Sequence, residues 1–509
     1  MPATLHELLR DLPAGQDAQL VGCVPATTIE GVQDDSRAVR SGELFVARTG
    51  GRVDGHDFVE HVVAAGGIPV VRSDRKVRVE PRVEVTDTDA ALPMLAAAAA
   101  GWPGRRLWLA GITGTNGKTT VAHMVAAILG AAPIPHVRLG TTGNWLVDGL
   151  VPSAFTTPFP IELQGLLARG VARGATHAVL EVSSHALAQG RALPLLFDAV
   201  AFTSFSQDHL DFHADMDDYL SAKIRLAQTH LDPRGTAIAA ARTDPAARFL
   251  QAARDVGARC WTFSPSGSDR IESAALAVTT SLASSTPTTP GQPRVLHTPA
   301  GSRPLQLSLP GAFNEDNAMV AAGLCLASGL DLNTVMAGLA AAVVPGRLEP
   351  VTAGEGAPRV LVDYAHTPDA VARAARALRA DTRGTLWVVV GCGGDRDRGK
   401  RPLMAAQALA HGDRLVATSD NPRSEDPDAI LDDMLHGLDA GQRARTLREV
   451  NRADAIARVI EIADAHDTIL IAGKGHETTQ TMGDEVIAFD DREQARAALR
   501  RRLGVPERS

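Results

Sequence analysis

The chain has 509 residues, of which 45% are hydrophobic and 22% charged, and its formal net charge is −8. This length is too great for one domain and suggests about three. The negative charge and the lack of a basic stripe in the sequence argue against nucleic acid and anionic membranes as partners. The longest apolar runs are too short to span a membrane, and the four scattered cysteines have no metal-ligand spacing. We therefore expect a cytoplasmic protein with free thiols.

Two composition changes divide the chain. An alanine-rich predicted helix ends near Trp102-Pro103-Gly104, and a second break falls at Val344-Pro345-Gly346. After the first break, buried strands such as LWLAGI alternate with helical segments, and the same rhythm returns after the second break. Such alternation is typical of parallel sheets in α/β domains. We predict an α/β protein with three domains, at residues 1–103, 104–344 and 345–509.

The segment GITGTNGKTT, residues 111–120, follows a predicted strand and opens a predicted helix, as a phosphate-binding loop does. Glycines at 114 and 117 let the backbone curl so that its N–H groups point at phosphate oxygens. Lys118 would reach the β- and γ-phosphates of a nucleotide, and Thr119 would direct its hydroxyl at Mg²⁺. Ile112 occupies a position where the common pattern has glycine, so this is a variant loop.

Two later segments carry residues suited to a metal. Glu181, in EVSSHAL, ends a predicted strand, and Mg²⁺ prefers carboxylates together with phosphate oxygens and water. The segment DHLDFHADMDDYLSAK brings His209 and several aspartates near Lys223. A solvated acidic loop is the plainer interpretation of that run, and a lone His185 is more often structural.

In this order and spacing, GTNGKTT, EVSSHAL, DHLDFH and AK resemble the Mur ligases, ATP-dependent amide-forming enzymes of peptidoglycan precursor synthesis. The resemblance implies a three-domain architecture with a central P-loop ATPase-like parallel sheet and a Rossmann-like C-terminal domain. It also implies a carbamylated Lys223, because carbamylation turns an ammonium that would repel Mg²⁺ into a carboxylate-like ligand. Ser204, Gln207 and Ala214 depart from the family pattern but leave His209 in place.

The resemblance extends to LPGAFNEDNAMVAA, VPGRLE and DYAHTPDA, which in the family lie around ATP. The implied catalytic residues are Lys118, His209 and Lys223, and the implied Mg²⁺ ligands are Thr119, Glu181, His209 and Lys223. The implied ATP-binding residues are Gly114, Thr115, Asn116, Gly117, Lys118, Thr119, Thr120, Asn317, Arg347 and Asp363. For the general base, His209 and Asp363 both remain open.

Further segments resemble those that bind the substrates in the family. Ser36 would contact the UDP-linked end, and the muramoyl-alanyl-glutamate arm would be held by Thr156, Thr157, Ser183, Gln189 and Arg191. The segment DNPR, comprising Asp420, Asn421, Pro422 and Arg423, resembles the signature of ligases that add meso-diaminopimelate.

The chemistry of the acceptor supports that assignment. A guanidinium holds a carboxylate through two parallel hydrogen bonds, which suits Arg423 to the distal carboxylate that lysine lacks. Arg396 would hold another carboxylate, and Glu477 with the Gly473 carbonyl would accept from an ammonium. The plainer interpretation of Arg423 is a surface salt bridge.

The resemblance therefore implies an ATP- and Mg²⁺-dependent ligase that adds meso-diaminopimelate to UDP-MurNAc-L-Ala-D-Glu through an acyl phosphate. We expect a monomer with these small-molecule substrates, no nucleic-acid partner and no membrane span. The alternatives are a lysine-adding, folylpolyglutamate or cyanophycin-type ligase and, from another class, a P-loop regulatory protein.

Overall fold

The structure is a computed structural model, and it describes residues 3–13, 15–50, 53–240, 243–264, 277–281, 294–298, 301–354 and 356–505. Within these residues the chain forms three large sheets, each flanked by helices, in the order of the sequence. Every one of the three contains a run of parallel strands. The predicted alternation of strands and helices is thus present along the chain.

The first sheet has five strands, and only its first pair is antiparallel. In sheet order the strands are Gln19–Val21, Arg82–Val85, Ile68–Arg72, Glu43–Val46 and Gly31–Gln33. Its helices are Leu5–Arg10, Val59–Ala64 and Thr88–Ala99, with a 3-10 turn at Gly55–Phe58 and a short strand pair, Ala3–Thr4 with Thr28–Ile29. A second 3-10 turn, Pro103–Arg106, leads into the next sheet.

The middle sheet has eleven strands among the described residues. In sheet order they are Leu150–Val151, Asn144–Leu146, His136–Leu139, His177–Glu181, Trp108–Thr113, Phe197–Phe202, Leu231–Ala240, Arg259–Ser264, Ala277–Ser281, Arg294–Thr298 and Gly301–Leu305. The seven strands from His136–Leu139 to Ala277–Ser281 are parallel. Their central members are continuously apolar because helices cover both faces of the sheet.

One face of the middle sheet is covered by helices Lys118–Ala131, Ala312–Ala327 and Leu332–Ala341. The other face carries Pro160–Ala172, Met216–Gln228 and Asp244–Asp255, and the short helix Ser184–Ala188 lies nearby. Helix Lys118–Ala131 approaches its neighbour so closely that a Cβ on Gly338 would lie 2.3 Å from the Ile128 Cα. This packing fixes the helix whose first turn contributes to the phosphate loop.

The third sheet has six strands, and all but the first are parallel. In sheet order they are Glu349–Val351, Arg359–Asp363, Thr468–Ala472, Leu386–Val390, Arg414–Ala417 and Thr446–Arg448. Helices Pro368–Arg379, Lys400–His411 and Pro427–Leu435 cover one face, and Arg452–Ile462 with Asp491–Leu503 cover the other. The short helix Ala440–Ala444 and a strand pair, Thr479–Met482 with Glu485–Ala488, complete this part.

The carboxyl ends of the parallel strands of the second and third sheets carry the loops that the sequence singled out. Glu181 ends one strand of the middle sheet, and the phosphate loop follows Thr113 in another. In the third sheet Asp363 ends a strand, and residues 391–400 and 473–477 follow two others. Ligands of open α/β sheets bind at this end of the strands.

No helix among the described residues is long and apolar enough to cross a membrane. All four cysteines are free, as expected, although only Cys325 and Cys392 are buried.

An ion pair inside the third sheet region should contribute strongly to stability. Arg452 and Asp491 are fully buried, their side chains meet at 2.7 Å, and Arg452 also donates to the carbonyls of Ser419 and Ala472. Asp491→Ala would leave the guanidinium without a counter-charge. We expect the free energy of unfolding of this part to fall by about 3–5 kcal/mol, measured by chemical denaturation.

The exposed pairs that Arg448 forms with Asp428 and Asp432 provide the control. Arg448→Met should change the same free energy by less than about 1 kcal/mol, because solvent screens these pairs. If Asp491→Ala lowered the free energy of unfolding no more than Arg448→Met does, the buried pair would not be important for stability.

Candidate functional site

The phosphate loop is held in a conformation that its glycines make possible. Gly114 and Gly117 have φ angles of +144° and +92°, and a Cβ on Gly114 would lie 2.0 Å from the Thr203 Oγ1. The Lys118 ammonium turns back over the loop and donates to the Gly114 and Thr115 carbonyls at 2.8 and 3.0 Å. The Lys118 ammonium therefore lies close to the first N–H groups of the helix. Together these groups can bind an anion such as a phosphate.

Ser204 anchors this loop from the neighbouring strand end. Its hydroxyl accepts from the Asn116 N–H at 2.9 Å, and its carbonyl accepts from the Thr115 N–H at 2.8 Å. The Thr203 hydroxyl donates to the Asn116 carbonyl. Ser204 departs from the family pattern, yet in this chain its side chain takes part in fixing the loop.

Glu181 lies beside the first turn of the loop helix and is 1% exposed. Its carboxylate accepts from the Thr119 hydroxyl at 2.8 Å, and from the Thr141 hydroxyl and N–H at 3.0 and 3.1 Å. A hydroxyl and a carboxylate are hard oxygen donors of the type that Mg²⁺ takes. The described residues hold no group of three or more His, Cys, Asp or Glu side chains placed to bind a metal. One carboxylate fits Mg²⁺ because nucleotide phosphates and water supply most of its ligands.

Lys223 lies on the other side of the loop and is 1% exposed. Its ammonium donates to the Gly114 carbonyl at 3.0 Å and lies 4.3 Å above the Tyr219 ring. Burial, and then the charge of Lys118, lower the pKa of Lys223 well below its usual value. The neutral amine that this favours is the form that reacts with carbon dioxide.

His209 lies near Lys223, across the same tyrosine ring. Its backbone is left-handed, with φ of 56°. Its Nε2 is 3.5 Å from an Asp208 carboxylate oxygen, and burial lowers the pKa of His209 to about 4. A neutral imidazole is the form that can bind a metal.

Asp208 is a site residue that motif reading missed. Burial opposes its charge, but His209, His366 and Lys400 hold the pKa of its carboxyl below the usual value. Burial lowers the pKa of Lys118, while the charges of Glu181 and Asp208 act in the opposite direction. Two acidic groups therefore act on the charge of the loop lysine. The position of Asp208 directly before His209 in DHLDFH was the signal available in the sequence.

A cavity of about 650 Å³ lies between the second and third sheet regions, next to the loop. Asn317, Arg347 and Asp363, which the sequence predicted to bind a nucleotide, all line it, as do Asn116, Gly117 and Thr120. Arg347 lies 4.7 Å from the Tyr364 ring and reaches the Thr119 hydroxyl at 3.4 Å. The structure thus gathers these distant residues around one space.

Asp363 has a structural role that limits its use as a base. One of its oxygens accepts from the Leu348 N–H at 2.7 Å, which ties the strand end to the linker that carries Arg347. Burial raises the pKa of Asp363.

Five residues predicted to hold a substrate arm form one cluster near Glu181. Thr156 bonds to the Thr141 hydroxyl at 3.0 Å, and Thr157 donates to the Glu181 carbonyl at 2.8 Å. Ser183 donates its N–H to the Thr157 hydroxyl at 3.1 Å.

Arg191 completes this cluster. It donates to the Gln189 side chain at 2.7 Å and to the Thr157 carbonyl at 3.3 Å, and its guanidinium lies 3.9 Å from the Phe159 ring. Ser36 lies on the loop after strand Gly31–Gln33, and no contact among the described residues joins it to this cluster.

A second cavity, of about 1030 Å³, brings the predicted acceptor residues to the metal candidate. His209 and Asp208 line one side. The acceptor residues that line it are Arg396, Asp420, Asn421, Arg423, Gly473 and Glu477. Pro422 is not among its lining residues, and its carbonyl packs so closely on Gly394 that a Cβ there would lie 1.9 Å away.

The cavity places Arg423 with its guanidinium available to a ligand. Its Nη1 donates to the Gly394 carbonyl at 2.7 Å, and its backbone, with φ of 52°, is held by Thr481 and Gly483. Arg423 forms no ion pair within 4 Å in the described part of the chain, although, after the hydrogen bonds from Ser424, its charge also lowers the pKa of Asp395. Tyr364, His366, Lys400 and Lys474 were not predicted; Tyr364 and His366 lie in DYAHTPDA, where only Asp363 was singled out.

Comparisons with known proteins agree along the chain. Family profiles match as "Mur ligase family, catalytic domain" at residues 28–113, "Mur ligase middle domain" at 112–325, and "Mur ligase, glutamate ligase domain" at 346–475. A UDP-N-acetylmuramoyl-L-alanyl-D-glutamate–2,6-diaminopimelate ligase of Gloeobacter violaceus is 42% identical over 99% of each chain. A protein of the same name from Geobacillus thermodenitrificans is 40% identical over 93% of this chain and 95% of its own.

Solved structures of Mur ligases also align with this chain over nearly its full length. A structure of a UDP-N-acetylmuramoyl-L-alanyl-D-glutamate–2,6-diaminopimelate ligase aligns with a TM-score of 0.68 at 30% identity and covers 99% of this chain and 100% of its own. The MurF ligase of Thermotoga maritima in complex with ADP aligns with a TM-score of 0.60 over 93% of this chain and 98% of its own. At 16% identity, the second comparison shows the fold alone.

The crowding around Gly114 predicts how one methyl group affects nucleotide binding. Gly114→Ala should abolish binding of a fluorescent ATP analogue, because the added Cβ would collide with Thr203 and the φ angle is unfavourable. Gly165→Ala, in a helix with nothing within 4 Å of the new Cβ, is the control. It should bind as the native chain does. Undiminished binding by Gly114→Ala would contradict the proposed role of the loop.

Proposed function

Because this chain belongs to the Mur ligase family, we propose that it is the ATP-dependent ligase that adds meso-diaminopimelate to UDP-N-acetylmuramoyl-L-alanyl-D-glutamate. The new amide would form on the γ-carboxylate of D-glutamate, in peptidoglycan precursor synthesis. The observation that carries the proposal is the 1030 Å³ cavity, whose lining near His209 combines the cations of Arg396, Lys400 and Arg423 with several carboxylates, among them Asp420 and Glu477. That charge pattern complements an acceptor with two carboxylates and two amino groups.

ATP would bind across the loop and the 650 Å³ cavity, with its base near Asn317. The γ-carboxylate attacks the γ-phosphate, and Lys118 stabilises the negative charge that develops. An amine of the acceptor then attacks the acyl phosphate, and the intermediate collapses to amide and phosphate. ADP and phosphate leave, so the chain mainly positions groups and neutralises charge.

Mg²⁺, when bound, would be held by Thr119, Glu181, His209 and carbamylated Lys223. When bound, Mg²⁺ neutralises phosphate charge. The lowered pKa of Lys223 supports carbamylation, since its amine lies against another lysine in a buried site. The carbamate would replace one of two converging positive charges with a negative charge.

The UDP-linked substrate would extend from the first sheet region to the cluster of Thr156, Thr157, Ser183, Gln189 and Arg191. The link between Thr156 and Thr141 supports this path, because Thr141 also donates to Glu181. The substrate carboxylate would thereby approach the phosphate loop. We place the domain limits at residues 103 and 344, between the three sheets, and Ser36 at the far end of this path.

For the acceptor, Arg423 would hold the distal carboxylate and Arg396 the second carboxylate. Glu477 and the Gly473 carbonyl would accept from an ammonium group. Lysine lacks the distal carboxylate and would leave the Arg423 guanidinium unpaired, which is costly in a partly buried site. This contrast separates the proposal from a lysine-adding ligase.

The acceptor preference tests the function directly. Phosphate release should require both the UDP-muramoyl dipeptide and the amino acid, with meso-diaminopimelate strongly preferred over L-lysine. Arg423→Ala should lower kcat/KM for meso-diaminopimelate by about ten- to a hundredfold, because a charged hydrogen-bonded pair is lost. The same variant should leave the weak activity with L-lysine nearly unchanged.

Arg398→Ala is the matched control, because Arg398 lies near Arg396 but is exposed and pairs with Asp433. It should keep the native preference. Equal use of both acceptors by the native chain would refute the acceptor assignment. ATP turnover that is indifferent to both substrates would indicate a P-loop regulatory protein instead.

Lys223→Ala should reduce turnover to nearly nothing, because it removes the amine that carries the carbamate. Short carboxylic acids should restore part of the activity by occupying the vacated position. Arg225→Ala, an exposed position on the same helix, should retain native turnover with or without the acids. A fully active Lys223→Ala enzyme would remove the carbamate from the proposal.

A further inference from the structure

Lys474 is a buried lysine in the wall of the acceptor cavity. It follows strand Thr468–Ala472, and its side chain is fully shielded from solvent. Its ammonium lies 3.0 Å from the Asn421 Oδ1 and 3.0 Å from the Glu477 Oε2, and 3.9 Å from an Asp420 oxygen. All three of its partners line the cavity, whereas Lys474 does not.

These contacts fix how Glu477 faces the cavity. Its Oε2 accepts from Lys474 and also from the Asn421 Nδ2 at 3.1 Å. Its Oε1 has no hydrogen-bond donor within the described ranges. The Oε2 atom is therefore bonded to residues of the cavity wall, and the Oε1 atom can accept from a cationic group of a ligand.

The same ammonium determines the orientation of the Asn421 amide. The Asn421 Oδ1 accepts from Lys474 and from the Thr481 N–H at 3.0 Å. With two donors on Oδ1, the NH₂ group must point the other way, toward Glu477. Reversing the amide would turn its NH₂ group toward the Lys474 ammonium, which can only donate.

The charge of Lys474 also allows two acidic groups to share a small space. Asp420 and Glu477 both line the cavity, and the ammonium lies within 4 Å of each. Without it, the repulsion between the carboxylates would favour moving Glu477 away, because its side chain is partly exposed and can reach solvent.

We propose that Lys474 is a positioning residue for acceptor recognition, which holds Glu477 and Asn421 in the orientation that receives the ammonium group of the acceptor. This inference rests on the proposed function, since it concerns the same cavity. Lys474 does not touch the acceptor itself. It acts by presenting one free carboxylate oxygen at a fixed place.

Lys474→Met tests this role, because methionine keeps a linear side chain of similar length without the charge. The KM for meso-diaminopimelate should rise by about ten- to a hundredfold, as expected for losing charged hydrogen bonds. The KM values for ATP and for the UDP-linked substrate, and kcat at saturating acceptor, should stay close to native. A purely structural lysine would change all of these parameters together or none of them.

Asp467→Asn is the matched control at the other end of the same strand. Asp467 is buried and accepts from Thr385 and Trp387, far along the strand from the acceptor cavity. This variant should lower the melting temperature without changing the KM for the acceptor. A rise in acceptor KM equal to that of Lys474→Met would show general loosening and overturn the proposal.

A second variant keeps the test decisive if Lys474→Met folds poorly. Lys474→Met with Glu477→Gln removes both charges of this pair, so the Glu477 carboxylate is not left without its partner. On the Glu477→Gln background, the lysine substitution should raise the acceptor KM by a much smaller factor than on the native one. If Lys474→Met alone gives no folded protein, the double variant should still resemble Glu477→Gln in acceptor KM.

A large additional increase in the double variant would overturn the proposal, as would an unchanged acceptor KM in Lys474→Met. Failure of the proposed function would look different. In that case the native chain itself would form no product with meso-diaminopimelate.

Discussion

The backbone carbonyl oxygen of Gly114 accepts hydrogen bonds from the ammonium groups of both Lys118 and Lys223. The N···O distances are 2.8 and 3.0 Å. Two buried cations cannot share one acceptor without cost, and here the pKa of Lys223 falls furthest because burial and its neighbour act together. One lysine can thus remain charged for phosphate while the other becomes a reactive amine. Gly114 has no room for a side chain, so this arrangement depends on glycine at that position.

The rest of the proposed site is built outward from that carbonyl. Thr119 donates to Glu181, Asp208 lies 3.5 Å from His209, and the charges of Glu181 and Asp208 both act on Lys118. The nucleotide cavity and the acceptor cavity both reach residues of the second and third sheet regions.

The acceptor side uses buried cations for a different purpose. Arg452 ties two strand ends together through the Ser419 and Ala472 carbonyls, and Arg401 joins Glu425 to Asp433 below the cavity. Lys474 orients the polar groups of the wall. Such charges are costly to bury without partners, and the loops around this cavity supply carbonyls and carboxylates to each of them.

The sequence by itself determined the local parts: the phosphate loop, the strand-end position of Glu181, the α/β class and the DNPR segment. These features depend on residue chemistry and on the spacing between residues that are close in the sequence, so a short stretch of sequence is enough to predict them. Only the tertiary structure decided that Arg423 and His209 line the same cavity, that Ser204 anchors the phosphate loop and that Lys474 supports Glu477. Asn116 and Ser204 are separated by 88 positions, and Asn421 and Lys474 by 53. No local pattern records such contacts, because the packing of helices on both faces of each sheet decides which strand ends become neighbours.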